Sequence, residues 1–313
     1  MEAIETGKVV ITAALTGALT TRKQCEHIPY TPVEIAEEAR RCADAGAAVV
    51  HIHAREDDGA PSFSVEKYRQ IMDEVRKRSE VIINFSTGAI GIPMEDRVGH
   101  IARLKPEIGA LNMGSMNYAI YSEKRKQFYW DLVFANPFKD ISLLLTRMNE
   151  AGVKPELEVF DNGHIGNTRP LLDMGLLRPP LDFSLVMGVL GGIPSTTRNL
   201  VFQAESLPPG STWKLVGVGM DQWRLLAATL TLGGNVRVGL EDNFYLRPGE
   251  MARGSSYLVE KAARMAADVG REVATIAEAR ELLGLSPEPC RVPSDYVADD
   301  RQPARIDISR SSA

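Results

Sequence analysis

Short runs of apolar, largely β-branched residues alternate along the chain with longer segments whose apolar residues recur at helical spacing. The apolar runs predict strands over 8–13, 47–53, 81–86, 108–113, 156–161, 182–188, 213–219 and 235–241. The helical period predicts helices over 31–46, 64–78, 95–104, 137–151, 167–175, 196–205, 221–233 and 248–270. The first helix also carries its punctuation: Thr31 suits the N-cap, Pro32 the first turn and Gly46 the position just past the end. Eight strands each followed by a helix is the pattern of an α/β fold of the (β/α)8 TIM-barrel type, here a single catalytic domain over 1–285. An open doubly wound sheet usually opens with a glycine-rich phosphate turn, and Thr16–Arg22, TGALTTR, is not that turn.

Two segments depart from the alternation. Residues 114–135 hold a dense set of aromatics and fit no βα spacing, so they are expected to form an enlarged loop after the fourth strand. Residues 286–313 are rich in proline, serine and charge, which predicts a C-terminal tail, partly disordered or packing on a neighbouring subunit. Both segments are candidate contacts of a homo-oligomer.

Composition narrows the partners. With 36 Lys and Arg against 41 Asp and Glu the net charge is −5, which supplies no basic field for a phosphate backbone and argues against nucleic acid. No apolar run approaches the roughly 18–20 residues of a membrane span. The first residues carry acids where a signal peptide would carry bases, so the expected location is the cytoplasm. Cys25, Cys42 and Cys290 are odd in number, far apart and in no C-x-x-C spacing, which excludes a disulfide framework or a thiolate zinc site from the expectation.

In a TIM barrel the chemistry collects at the C-terminal ends of the strands. Those ends gather Thr12, His51, His53, Arg55, Asn84, Ser86, Thr87, Asn112, Ser115, Glu156, Glu158, Asp161, Arg237, Glu241 and Asp242. His51 and His53 share one face of a strand, because side chains there alternate with period two. A lone buried histidine is ordinarily a satisfied core residue, but two on one face can meet one cation. Glu241 then completes a two-histidine, one-carboxylate set with an open position, as in catalytic zinc sites, with Glu156 and Glu158 as rival third ligands. Arg237 and Glu241 are expected on one face of the last strand, and Arg237 can keep Asp242 ionised as a base for a proton α to a carbonyl. The same Arg237–Asp242 pair could instead merely stiffen a loop. The turn FSTGAIG (85–91) offers hydroxyls and backbone N–H groups to a carboxylate or phosphate. His27, His100 and His164 are expected at the surface or in loops.

The ordered set VITAALTGALTTR, HIHAREDDGAPS, FSTGA, ALNMGSMN, PELEVFDNG, GVLGGIP and VRVGLEDN resembles the β-keto acid cleavage enzyme family over about residues 8–285. The resemblance implies a zinc-dependent barrel that condenses a β-keto acid with acetyl-CoA, giving acetoacetate and a new acyl-CoA. It implies His51, His53 and Glu241 as Zn2+ ligands, Asp242 as base with Arg237 supporting it, and substrate-carboxylate contacts at Ser86 with Thr87 and Asn112 beside it. Glu158 is the best candidate for a further polar substrate contact, the alternative being a barrel-interior acid satisfied by an arginine or water. The family member that takes an aminated substrate carries an acid after T-G-A where this chain has Leu19, which predicts a keto acid with a less polar or differently charged tail. Two other readings remain: a metal-dependent hydrolase or lyase that acts on a keto acid without CoA, and a barrel retained only for binding. The intact set of mouth residues disfavours the second.

Overall fold

The eight expected strands form, and the order of elements follows from the alternation. In the computed structural model, which describes residues 7–298, the first half runs β1 (Ile11–Ala14), α1 (Pro32–Asp44), β2 (Val49–Ile52), α2 (Val65–Arg76), β3 (Ile82–Ser86), α3 (Met94–Leu104) and β4 (Ile108–Asn112). A hairpin, β5 (Met116–Ser122) and β6 (Gln127–Phe134), then precedes α4 (Phe138–Ala151). The second half continues with β7 (Lys154–Val159), the short α5 (Asn162–Gly166) and α6 (Thr168–Asp173), β8 (Asp182–Met187), α7 (Thr197–Glu205), β9 (Thr212–Gly217), α8 (Gln222–Thr231) and β10 (Asn235–Val238). A small hairpin, β11 (Tyr245–Arg247) with β12 (Glu250–Met251), leads into α9 (Ser255–Asp268) and α10 (Ile276–Leu282).

Strands β1, β2, β3, β4, β7, β8, β9 and β10 close into a parallel barrel, β10 pairing back onto β1 through Ile11 and Val236. Alternation then divides each strand. Ile83 and Phe85 join the apolar layer beneath the helices, while Asn84, paired in register with His51, takes the other face, inside the barrel. The first helix behaves as its sequence predicts. The Thr31 side chain accepts from Glu34 N–H while Glu34 accepts from Thr31 N–H at 2.9 Å, a reciprocal capping box that satisfies two donors at an otherwise orphaned end. Ile35, Ala36, Ala39 and Cys42 face the core from this helix. No helix among the described residues is long and apolar enough to cross a membrane.

Several boundaries differ from expectation, three of them by enough to change the architecture. The last barrel strand stops at Val238, because Gly239 has φ +154° and a Cβ there would lie 2.0 Å from Ala14 O; the chain turns, and Glu241 belongs to the loop, not to the face that carries Arg237. The long helix begins at Ser255, since 245–251 pair as a hairpin instead. The enlarged loop at 114–135 is an antiparallel hairpin with a bulge between Ile120 and Tyr121.

At the N-terminal end of the barrel Glu107 is buried between Arg76 and Arg280. The described part of the tail, 286–298, lies against this end of its own barrel: Cys290 N donates to Glu107 Oε1 at 2.9 Å, and Arg103 donates to Val297 O. The remaining tail and the first six residues, on which the expectation about a signal peptide rests, lie outside the described residues.

Candidate functional site

Three side chains from two places in the chain meet at the C-terminal mouth. His51 is the penultimate residue of β2 and His53 lies just past its end, their rings 5.2 Å apart between centroids. Glu241 arrives from the turn after β10, with Oε1 3.7 Å from His51 Nε2 and 3.4 Å from His53 Nε2. These separations exceed a good hydrogen bond but suit ligands of one ion: two donors each about 2.1 Å from a tetrahedral centre stand about 3.4 Å apart. His51 Nδ1 and Glu241 Oε2 are buried without a partner.

The loop over this trio is built to stay. Gly17, at φ +63°, rides directly on Glu241, where a Cβ would come within 2.9 Å of its Cγ. Thr16 Oγ1 donates to His53 O at 2.7 Å and accepts from His53 N at 2.9 Å. Arg55, fully buried, donates to the carbonyls of Thr16, Gly17, Thr20 and Gly59. Its guanidinium straps the loop down instead of facing a ligand.

Arg237 is the electrostatic hub. Its Nε and Nη2 donate to the two oxygens of Asp242, each at 2.9 Å, its Nη2 also reaches Glu241 Oε1 at 2.7 Å, and its Nη1 lies 3.5 Å from Glu158 Oε1. One guanidinium facing three carboxylates leaves the cluster short of positive charge once more than one of the acids is ionised, a deficit that a cation would relieve. Burial pushes Asp242 up to about 6 against the opposing Arg237. Burial likewise drives Glu158 to about 8, Arg237 opposing and Glu156, Glu241 and Asp242 adding to the rise. Glu241 is buried too, yet Arg237 and then the two histidines outweigh that and hold it well below the carboxylate range. His51 is kept neutral chiefly by burial, with Arg237 reinforcing it, and only a neutral imidazole can ligate.

Glu156 and Glu158 also lie within ligand reach of His51, but Glu156 is already engaged. It accepts from Ser184 Oγ at 2.9 Å and Asn84 Nδ2 at 2.8 Å and pairs with Lys214 at 2.9 Å; Lys214 in turn meets Asp182 at 2.8 Å. This charged strut crosses the barrel interior beneath the mouth. Asn84 stands at its upper end, in register with His51, and Asn84 Oδ1 is buried without a hydrogen-bond partner.

Above the cluster opens a cavity of approximately 530 Å³. Ser86, Asn112, Glu158, Leu19, Arg237, Glu241, Asp242 and His53 all line it. Ser86 Oγ, Asn112 Nδ2 and His53 Cε1 converge on the open side of Gly88, lying 3.4, 3.5 and 3.9 Å from where its Cβ would stand. Thr87 is fully buried and donates its hydroxyl to Ala110 O at 2.5 Å, so it secures β3 to β4 and is not in the lining. Asp161 caps α5 by accepting from Gly163 N, and Ser115 accepts from Asn136 N; neither faces the cavity.

Sequence reasoning missed the wall supplied by the hairpin, above all Tyr118 and Trp130. The Tyr118 phenol is pushed up to about 12 by burial and then by the nearby Glu241, Asp242 and Glu158. His100 and His164, expected at the surface, are buried. His100 stacks on Tyr68 at 3.9 Å and holds Ser86 O at 2.8 Å; His164 bridges Phe160 N and Ser115 O. His27 is exposed, as expected.

The profile of the family described as beta-keto acid cleavage enzyme matches residues 8–285. The chain is 41% identical to the 3-keto-5-aminohexanoate cleavage enzyme of Acetoanaerobium sticklandii, over 89% of this chain and 99% of that protein. It is 34% identical to the 3,5-dioxohexanoate:acetyl-CoA acetone transferase of Paraburkholderia graminis, over 89% of this chain and 96% of that protein. Among solved structures, the complex of ObcA with oxaloacetate superposes with a TM-score of 0.67 at 24% identity, covering 83% of this chain and 68% of that one, a likeness of fold.

Proposed function

Because the chain belongs to the beta-keto acid cleavage enzyme family, we propose that it is an acyltransferase that condenses a β-keto acid with acetyl-CoA, giving acetoacetate and a new acyl-CoA. The observation that carries this reading is the Arg237-held Asp242 beside the trio His51, His53 and Glu241, in a cavity with room for a small keto acid. In this reading the trio holds a divalent metal, Zn2+ by ligand type. When bound, the metal polarises the β-ketone and stabilises the neighbouring carbanion.

The chain's own residues do the rest. Ser86 and Asn112 hold the substrate carboxylate at the open side of Gly88. Asp242 takes the proton from the carbon between carboxylate and ketone; a carboxyl raised by burial is a better base near neutrality than an exposed one. The carbanion attacks the acetyl thioester and expels CoA thiolate, which attacks the ketone. The carbon–carbon bond then breaks, leaving acyl-CoA and the acetoacetate carbanion, which recovers the proton from Asp242. Glu158, whose carboxyl is raised by burial to about 8, lines the same cavity and is placed for a hydrogen bond to a substrate oxygen. No nucleophilic serine or cysteine is needed, since the thiolate is the co-substrate's own.

The unpaired Cys25, Cys42 and Cys290 support a cytoplasmic location. The outward Phe128, Tyr129 and Val133 of the hairpin support a homo-oligomer. The decisive experiment supplies purified protein of known metal content with β-keto acids, with and without acetyl-CoA, and follows acetoacetate. Formation that requires both acetyl-CoA and the metal is expected; turnover without CoA would replace this reading with a hydrolase or lyase.

A further inference from the structure

The cavity wall is of two kinds. Its charged lining side chains, His53, Glu158, Arg237, Glu241 and Asp242, all belong to the single ion-paired cluster around Arg237 and Glu241. The rest of the wall contains no charged group among the described residues. Much of it is one apolar assembly separate from the main core: Phe134, Phe160, Val186 and Val216, with Tyr118 and Leu132 packed against them. Leu19 borders the same space from the loop after β1. An apolar cluster that faces a cavity instead of the barrel's packed interior is a surface prepared for a ligand.

Resting on the reading above, we propose that the site takes a β-keto acid whose tail beyond the ketone is uncharged and apolar. The carboxylate and ketone stay at the charged cluster, and the tail lies against the apolar part of the wall, Leu132, Phe134, Phe160 and Leu19. A cationic tail would find no carboxylate outside the cluster that the reaction uses, and an anionic tail no guanidinium. Either would be buried without a partner. An alkyl tail gains transfer free energy with each methylene that leaves water.

The test is a tail series at fixed acetyl-CoA, from 3-oxopentanoate to 3-oxooctanoate, with 3-oxohexanoate compared against its 5-amino and 5-carboxy derivatives. kcat/KM is expected to climb about fourfold per added methylene, the equivalent of ~0.8 kcal/mol, until the cavity is full. The charged derivatives are expected to fall roughly 100-fold or more below the plain chain. Leu132→Asp should flatten the climb and move preference towards the amino derivative; the wild-type series carries the test if that variant does not fold. A flat response to tail length, or a preference for a charged tail in the wild type, overturns the proposal. If no keto acid yields acetoacetate, it is the parent reading that fails. The wall is then judged by calorimetric binding of butanoate through octanoate: the same stepwise gain upholds an apolar tail site, and uniform affinity overturns it.

Discussion

The barrel buries a charged cluster at each end, and the two are built on opposite rules. At the N-terminal end two guanidinium groups serve one carboxylate: Glu107 Oε1 accepts from Arg76, Arg280 and Cys290 N, and Oε2 from Ile83 N and the Cys290 thiol. At the mouth one guanidinium serves three carboxylates, and Arg237 Nη1, Glu241 Oε2 and His51 Nδ1 are left without hydrogen bonds. Glu107 is depressed below its ordinary range, because Arg76, Cys290 and Arg280 together outweigh its burial, whereas Glu158 and Asp242 are raised. A buried cluster whose atoms are all satisfied holds a fold together. One short of positive charge, with donors and acceptors alike left unpartnered, is arranged for something that arrives later.

The contrast is most sharply tested at Asp242. Asp242→Asn is expected to lower kcat by about 10²–10⁴-fold, with metal content by elemental analysis unchanged; full activity would erase the functional side of the comparison. Glu107→Ala should do the reverse. It strands Arg76 and Arg280 in the interior and is expected to cost about 3–5 kcal/mol in a denaturant melt, with kcat per folded molecule preserved. A smaller effect falls on the strut between the two ends. Asn84→Ala empties the space packed beside His51 and removes a donor to buried Glu156, so it is expected to weaken metal binding about 10-fold, read by competition with a chelator, and to cost about 1–3 kcal/mol in the melt.

The smallest effect is in pH. The unfolded glutamate titrates near about 4.3 and folded Glu107 below that, so its stabilisation is complete above the unfolded value and disappears as pH falls through the folded one. The stability gap between the wild type and Glu107→Gln should therefore be constant from neutral pH down to about 5 and shrink below about 4.

Much of this architecture is readable from the chain because it depends on local period. The βα alternation and the i, i+2 spacing of His51 and His53 survive without knowledge of the neighbours, as does the Thr31 cap with its partner Glu34. What escapes depends on partners distant in sequence. His100 looks like a surface residue until Tyr68 stacks on it, and Arg55 looks like a mouth residue until four carbonyls surround it. Glu241 was readable as a mouth residue but not as a loop residue, since only the contact between Gly239 and Ala14 ends the strand early. The hairpin at 116–134 hid its period behind a bulge and behind aromatics on both faces, Tyr118 inward and Phe128 and Tyr129 outward.

That hairpin is also a separable piece of the fold. Its strands pair with each other, so its register is settled within a short piece of chain, whereas closing the barrel must bring Ile11 to Val236. Substitutions at Leu132 or Trp130 alter the wall without touching a barrel ladder. A segment whose register is set locally can therefore be rewritten at the cavity wall while the barrel ladders and the charged cluster at the mouth stay as they are.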